Sequence, residues 1–198
     1  MSIASIVFWL VILALVIYVI SIYNRLVALK NRYKNSFAQI EVQLKRRYDL
    51  IPNLVETAKA YMQHERETLD AVVTARNDAA AVLKALEGSD IAGADIAKLA
   101  SAENALQGAL GKLNITMEAY PDLKASENMQ QLTEELTTTE NRVAFARQGY
   151  NDAAMNYNTY RQSFPPVFFA ARFGHPQDAQ LLEFDDTAQI QAAPKVSF

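Results

Sequence analysis

From Ile3 to Ile22 the chain reads IASIVFWLVILALVIYVISI, and no Asp, Glu, Lys, Arg or His occurs before Arg25. About twenty apolar residues at roughly 1.5 Å rise per residue span roughly 30 Å as a helix, the thickness of a bilayer's hydrocarbon core. A cleavable leader would begin with basic residues, carry a shorter apolar core and end on a small-residue cleavage site. Here no basic residue precedes the stretch and a helical pattern continues straight through its end. The reading is an uncleaved transmembrane anchor over residues 1–24. Arg25, Lys30, Arg32 and Lys34 all come before the first acid, Glu41. Basic residues beside a span favour the cytoplasmic side, so the short N-terminus is expected outside and the rest of the chain inside.

Beyond the anchor, Leu26, Leu29, Tyr33, Phe37, Ile40 and Leu44 alternate spacings of three and four, the seam of a helix packed against other helices. The first helix is therefore expected to run from Ile3 to Tyr48, partly in lipid and partly in water. Pro52 lacks an amide hydrogen and is expected to end that helix and open a second, from Pro52 to Leu86. The second seam is Val55, Ala58, Met62, Glu65, Leu69, Val72, Arg76, Ala79, Leu83 and Leu86, and Glu87-Gly88-Ser89-Asp90 reads as a turn. A third helix follows from Asp95 to Tyr120, with Leu99, Leu106, Leu110, Leu113 and Met117 apolar. The fourth opens at Ser126 as N-cap and holds its seam from Met129 through Leu136, Val143, Tyr150 and Tyr157 to Phe164, where Pro165-Pro166 stops it. The expected fold is all-α: one N-terminal transmembrane helix continuing into an antiparallel four-helix bundle over residues 25–174, then a mostly irregular tail over 175–198. In that topology the fourth helix returns to the bilayer. Phe168, Phe169 and Arg172 are then expected at the membrane interface with Arg25, Lys30, Arg32 and Lys34. The phenylalanines could equally cap the bundle core.

The residues exclude most chemistry. With 198 residues, 51% of them hydrophobic, the chain suffices for one domain and a span, and its net charge of −3 gives no case for nucleic acid. It holds no cysteine, and two histidines, His64 and His175, without any Glu-x-x-His, so neither thiolate metal sites nor a carboxylate dimetal bundle is expected. Nucleotide, nucleophile-elbow and zinc-protease motifs are missing too. No metal, no cofactor and no catalytic residue is expected. Lys45-Arg46-Arg47 reads as a solvated face. Glu65 and Arg76 fall on the second seam, where charges persist only when paired. A buried polar network of Glu65, Arg76, Glu140 and Arg142 is expected, with Glu135 and Arg147 as further partners. A buried ligand site is the sharper alternative.

Several stretches resemble the LemA family: Tyr23-Asn24-Arg25-Leu26-Val27, Gln43 to Val55 (QLKRRYDLIPNLV), Glu65-x-Glu67-Thr68-Leu69, Ala75-Arg76-Asn77, and Glu118 to Ala125 (EAYPDLKA). Thr139 to Ala144 (TENRVA), Tyr150-Asn151 with Tyr157-Asn158-Thr159, Phe173-Gly174 and the closing Ala193-Pro194-Lys195-Val196-x-Phe198 complete the likeness. The resemblance implies a bacterial inner-membrane protein with its helical domain in the cytoplasm and supplies no reaction. Apolar residues flanking the second seam (Val73, Ala80, Ala81 and Val82) exceed what a lone bundle must bury. The leading expectation is a non-enzymatic scaffold that self-assembles at the membrane into a homo-oligomer. The alternatives are an adaptor presenting its bundle to a membrane protein such as an envelope protease, and a ligand-binding bundle or hydrolase.

Overall fold

A computed structural model describes residues 2–86 and 93–184, and all of its regular structure there is helical. Six helices occur among these residues: α1 (Ile3–Lys59), α2 (Arg66–Leu86), α3 (Gly93–Met117), α4 (Pro121–Ala125), α5 (Glu127–Gln162) and α6 (Pro166–Ala170). The turn expected at Glu87 to Asp90, and the tail beyond Phe184, lie outside the described residues.

The first part of α1 is apolar on every side, and its most apolar stretch is left bare by the rest of the protein. It is long and apolar enough to cross a membrane. Along one face its surroundings change within two turns: Leu15 is 59% exposed, Val19 half-buried and Ile22 2% exposed. From Ile22 the three-four seam is buried without interruption through Leu26, Leu29, Tyr33, Phe37, Ile40 and Leu44. One continuous helix thus passes from an all-round apolar surface to a one-sided stripe. Each fully buried Leu or Ile of that stripe contributes about 1.5–3 kcal/mol relative to an exposed one.

α1 packs chiefly against α5, and α2 against α3, with a smaller α1–α2 contact. The α1–α5 pair runs in opposite senses. Tyr23 meets Phe173, just beyond α6; Tyr33 lies between Tyr157 and Tyr150; Phe37 also reaches Tyr150.

The break between the first two helices differs from the expectation. α1 does not end near Tyr48; it runs through Pro52 to Lys59, and α2 starts at Arg66. A proline inside a helix removes the amide that would bond the carbonyl four residues back, here that of Tyr48. Arg76 of α2 replaces it: its Nε donates to the Tyr48 carbonyl oxygen at 2.9 Å. A tertiary bond offsets the local defect, and the helix continues. The chain turns instead at residues 60–65, where Met62 is fully buried and Met62 N donates to the Ala58 carbonyl.

α3 ends at Met117 rather than Tyr120, and Pro121 opens the short α4 as its first residue. Ser126 does occupy the N-cap of α5, but its side chain makes no capping bond. After α6, Gly174 at φ 82° takes the left-handed conformation that turns the chain back along α5. Residues 175–184 are neither helix nor strand, yet Leu182 is fully buried and Phe184 nearly so.

Candidate functional site

The polar interior is built where α1, α2, α3 and α5 come level. Arg47 and Tyr48 sit side by side on the buried face of α1, since the seam continues Leu44, Arg47/Tyr48, Ile51. Across from them, Glu103 occupies a seam position of α3 between Leu99 and Leu106 and is 2% exposed. Arg47 Nη2 pairs with Glu103 Oε2, and the Tyr48 hydroxyl donates to Glu103 Oε1. Burial pulls the Arg47 guanidinium down from its usual range, opposed by Tyr48 and Glu140, but an arginine stays charged in a protein. The Tyr48 phenol is pushed up to about 12, chiefly by burial, so it keeps its proton and stays a donor. Glu140 of α5 lies at the solvent edge of this group, its carboxyl raised by the surrounding protein and lowered by Arg47, with a net rise.

Chemically this cluster can hold four helices in register. A buried ion pair is weak evidence for net stability, but leaving either member alone costs about 3–5 kcal/mol. Among the described residues no group of His, Cys, Asp or Glu could hold a metal ion.

The charges singled out in the sequence separate. Arg76 belongs to the cluster through the Tyr48 carbonyl, with Asp49, 81% exposed, only loosely paired to it at 3.9 Å. Glu65 does not join Arg76; it lies in the α1–α2 link, where the Tyr120 hydroxyl donates to it at 3.3 Å. Arg142 is exposed and borders a surface groove instead. Glu135 is half-buried, and Arg147 is buried with its guanidinium 4.5 Å from the centre of the Phe184 ring. The run Lys45-Arg46-Arg47 is not wholly a solvated face, because its third member turns inward onto the seam. The pair that organises the interior, Arg47 and Glu103, is not among the charges that the seam reading selects. Its signal is nonetheless present: both continue three-four seams, which a scan for apolar residues skips.

A second constellation fastens the tail to α5. Asn151 and Asn158, two turns apart on one face, each grip one residue of the extended segment. Asn158 Nδ2 donates to the Ala179 carbonyl at 2.8 Å and its Oδ1 accepts from Ala179 N at 2.7 Å. Asn151 does the same to Leu182, at 3.0 and 2.9 Å. The preceding tyrosines assist: the Tyr150 hydroxyl donates to the Gln180 carbonyl at 2.7 Å, and that of Tyr157 lies 3.1 Å from His175 Nδ1. Arg161 closes the row on Asp178 at 2.7 Å, holding that carboxyl below its usual range. These tyrosines are core residues whose hydroxyls reach the bundle edge. The seven-residue repeat of Tyr-Asn is the signal for the clamp.

The remaining surface features are grooves with mixed linings and a few exposed apolar side chains. Between α1 and α5 runs a groove of about 570 Å³, bordered by Ser36, Gln39 and Gln43 on one side and Arg142, Phe145 and Gly149 on the other. Phe145 is 80% exposed. The apolar flank expected on α2 is partly absorbed: Ala80 and Val82 pack against the core, while Val73 remains 38% exposed. At the end of the bundle nearest the apolar part of α1, Phe168 is exposed and Phe169 packs against the core; Arg25, Arg32 and Arg172 are exposed, Lys30 and Lys34 half-buried.

The structure thus defines a class: an all-helical protein with a candidate membrane span continuous with its domain, and an interior arranged for packing. The chain belongs to the LemA family, whose sequence pattern matches residues 36–198. It is similar to Protein LemA of Metamycoplasma hominis, 27% identical over 141 residues, which cover 71% of this chain and 60% of that protein. The chain therefore spans about 60% of the length of the curated relative it matches. The family match begins downstream of the apolar stretch, so the span is read from residues 3–22 themselves.

Proposed function

We propose that this protein is a non-enzymatic, membrane-tethered helical scaffold that self-associates through the α1–α5 groove. The observation that carries the reading is Phe145, 80% exposed beside that groove. The register of the pair, with Phe37 at Tyr150 and Arg47 near Glu140, puts Val42 of α1, 57% exposed, level with it. Large aromatic side chains beside a concave surface are the usual anchors of protein–protein contacts. Since α1 is one helix from span to domain, the groove faces sideways, along the membrane plane. Subunits standing on one bilayer meet at high effective concentration and close into rings or pairs about an axis normal to the membrane. The basic residues that follow the span support a domain on the cytoplasmic side of a bacterial inner membrane.

The test is Phe145→Glu in the intact protein, with assembly mass followed by native mass spectrometry in mild detergent. A charge buried at an anchor position costs about 2 kcal/mol or more, roughly a 30-fold weakening. Unchanged assembly would remove the groove from the account. A protein that is monomeric alone but captures a membrane protein through Phe145 would favour the adaptor reading, in which the same groove receives a partner's helix.

A further inference from the structure

At the place where α1 leaves its apolar stretch, a second apolar surface lies beside it. The Tyr23 ring stands edge-on to Phe173, centroids 5.4 Å apart, and Phe173 stacks on Phe169 at 5.8 Å. Pro166 and Ala170 are buried beneath. These contacts fix one side of α6 against α1 and α5. The opposite side holds Phe164, Val167 and Phe168, exposed by 80%, 46% and 70%, with the two phenylalanine rings edge to face at 5.9 Å. Nothing in the bundle's packing requires three large apolar side chains to face outward together.

We propose that α6 is a membrane-interface wedge: Phe164, Val167 and Phe168 enter the headgroup–acyl boundary of the same bilayer that residues 3–22 cross. The inference rests on that reading of α1. What selects lipid as the occupant is continuity. Ile17 and Ile20, exposed by 58% and 52%, lead with no charged residue and only the small Ser21 between to Tyr23, exposed by 44%, which touches Phe173 just beyond α6. Whatever solvent surrounds Ile20 borders α6 as well. Arg25 and Arg172, both exposed, stand at the same level, where guanidinium groups meet lipid headgroups and aromatic rings favour the interface. The wedge gives the bundle a second point of contact and so fixes its tilt and rotation about α1, which a single helix alone leaves free.

The chain contains no cysteine, so single-cysteine variants can be spin-labelled directly. Full-length Leu10→Cys, Phe168→Cys, Val167→Cys and Ile115→Cys are reconstituted in phosphatidylethanolamine–phosphatidylglycerol vesicles. Power saturation then compares access of oxygen, which partitions into lipid, with that of a water-soluble nickel chelate. Leu10 marks the span and Ile115, 75% exposed on α3, marks water. Labels at 167 and 168 are expected to resemble the one at 10, at shallower depth, with oxygen access well above nickel access. A pattern at 167 and 168 matching that at 115 overturns the wedge while the span stands. Low access to both reagents at 167 and 168 also overturns it, since protein rather than lipid then covers the patch. A water-like signal at position 10 overturns the membrane reading and the wedge with it.

Discussion

Arg76→Met should destabilise the protein through a single atom, the Tyr48 carbonyl oxygen, and the size of the loss should depend on residue 52. Pro52 takes the helical donor away from that carbonyl, and Arg76 Nε returns one at 2.9 Å. A charged donor on a carbonyl contributes about 1.5–3 kcal/mol when buried. The Arg76 side chain retains 25% exposure, so the lower end, about 1.5–2 kcal/mol, applies. Its other contacts, Nη1 donating to Asn77 Oδ1 at 3.1 Å and the pair with Asp49 at 3.9 Å, add little because both partners are exposed. Methionine keeps most of the stem's packing. For a chain of this size each kcal/mol is about 2–4 °C, so Arg76→Met should lower Tm by about 3–8 °C. In a Pro52→Ala background the restored amide at position 52 can reach the carbonyl, and the same substitution should cost less than about 1 kcal/mol. The four proteins of this cycle are melted in one detergent and followed by circular dichroism. Equal losses in both backgrounds would refute the claim that Arg76 repairs the proline defect.

Glu103→Leu alone should destabilise by about 3–5 kcal/mol, whereas Arg47→Met and Tyr48→Phe together with Glu103→Leu, which leave no polar group of the cluster orphaned, should stay within about 1 kcal/mol of the parent, as denaturant titration will report. The Tyr48 phenol releases its proton near pH 10 when unfolded and near 12 when folded. Its contribution, roughly 2–3 kcal/mol, is therefore complete below pH 10 and lost as pH rises towards 12. Tyr150 and Tyr157 shift in the same direction. Melting curves should fall across that window, and Tyr48→Phe should flatten part of the decline. Burial, with Lys30 adding to it, lowers the His175 pKa, so the tail's docking should be complete above about pH 6.5 and weaken as pH falls further. Hydrogen-exchange protection at residues 179–182, taken against the intrinsic rate at each pH, should fall on acidification, and Asn158→Ala should lower it at neutral pH by removing two hydrogen bonds, roughly 1–3 kcal/mol.

The helical class and most core positions within the long helices were legible because the seam carries them, whereas Ile51, Leu54, Leu123, Leu182 and Phe184 were not read as core. Leu26 through Leu44, Leu69 through Leu86 and the Met129-to-Tyr157 series repeat at three and four, and most of their members are buried. The α1–α2 boundary was not legible. Proline is read locally as a stop, and the donor that lets α1 continue comes from a residue in another helix. The true turn at residues 60–65 contains neither Gly nor Pro and is held by the burial of Met62, a tertiary cause. The polar interior was half legible. A charge on a seam announced Arg76, but Glu103 and Arg47 are seen only if seams are followed through charged residues too. The Asn clamp escaped because the Tyr-Asn repeat marks only its α5 side, while its partners are backbone atoms of an irregular segment that leave no pattern in side-chain identity.

The central claim is self-association at the membrane, and the mass of the intact protein released in mild detergent tests it most directly. The expected result is a discrete species of several subunits that Phe145→Glu reduces to single chains. A parent protein that is already a single chain across the accessible concentration range would contradict it.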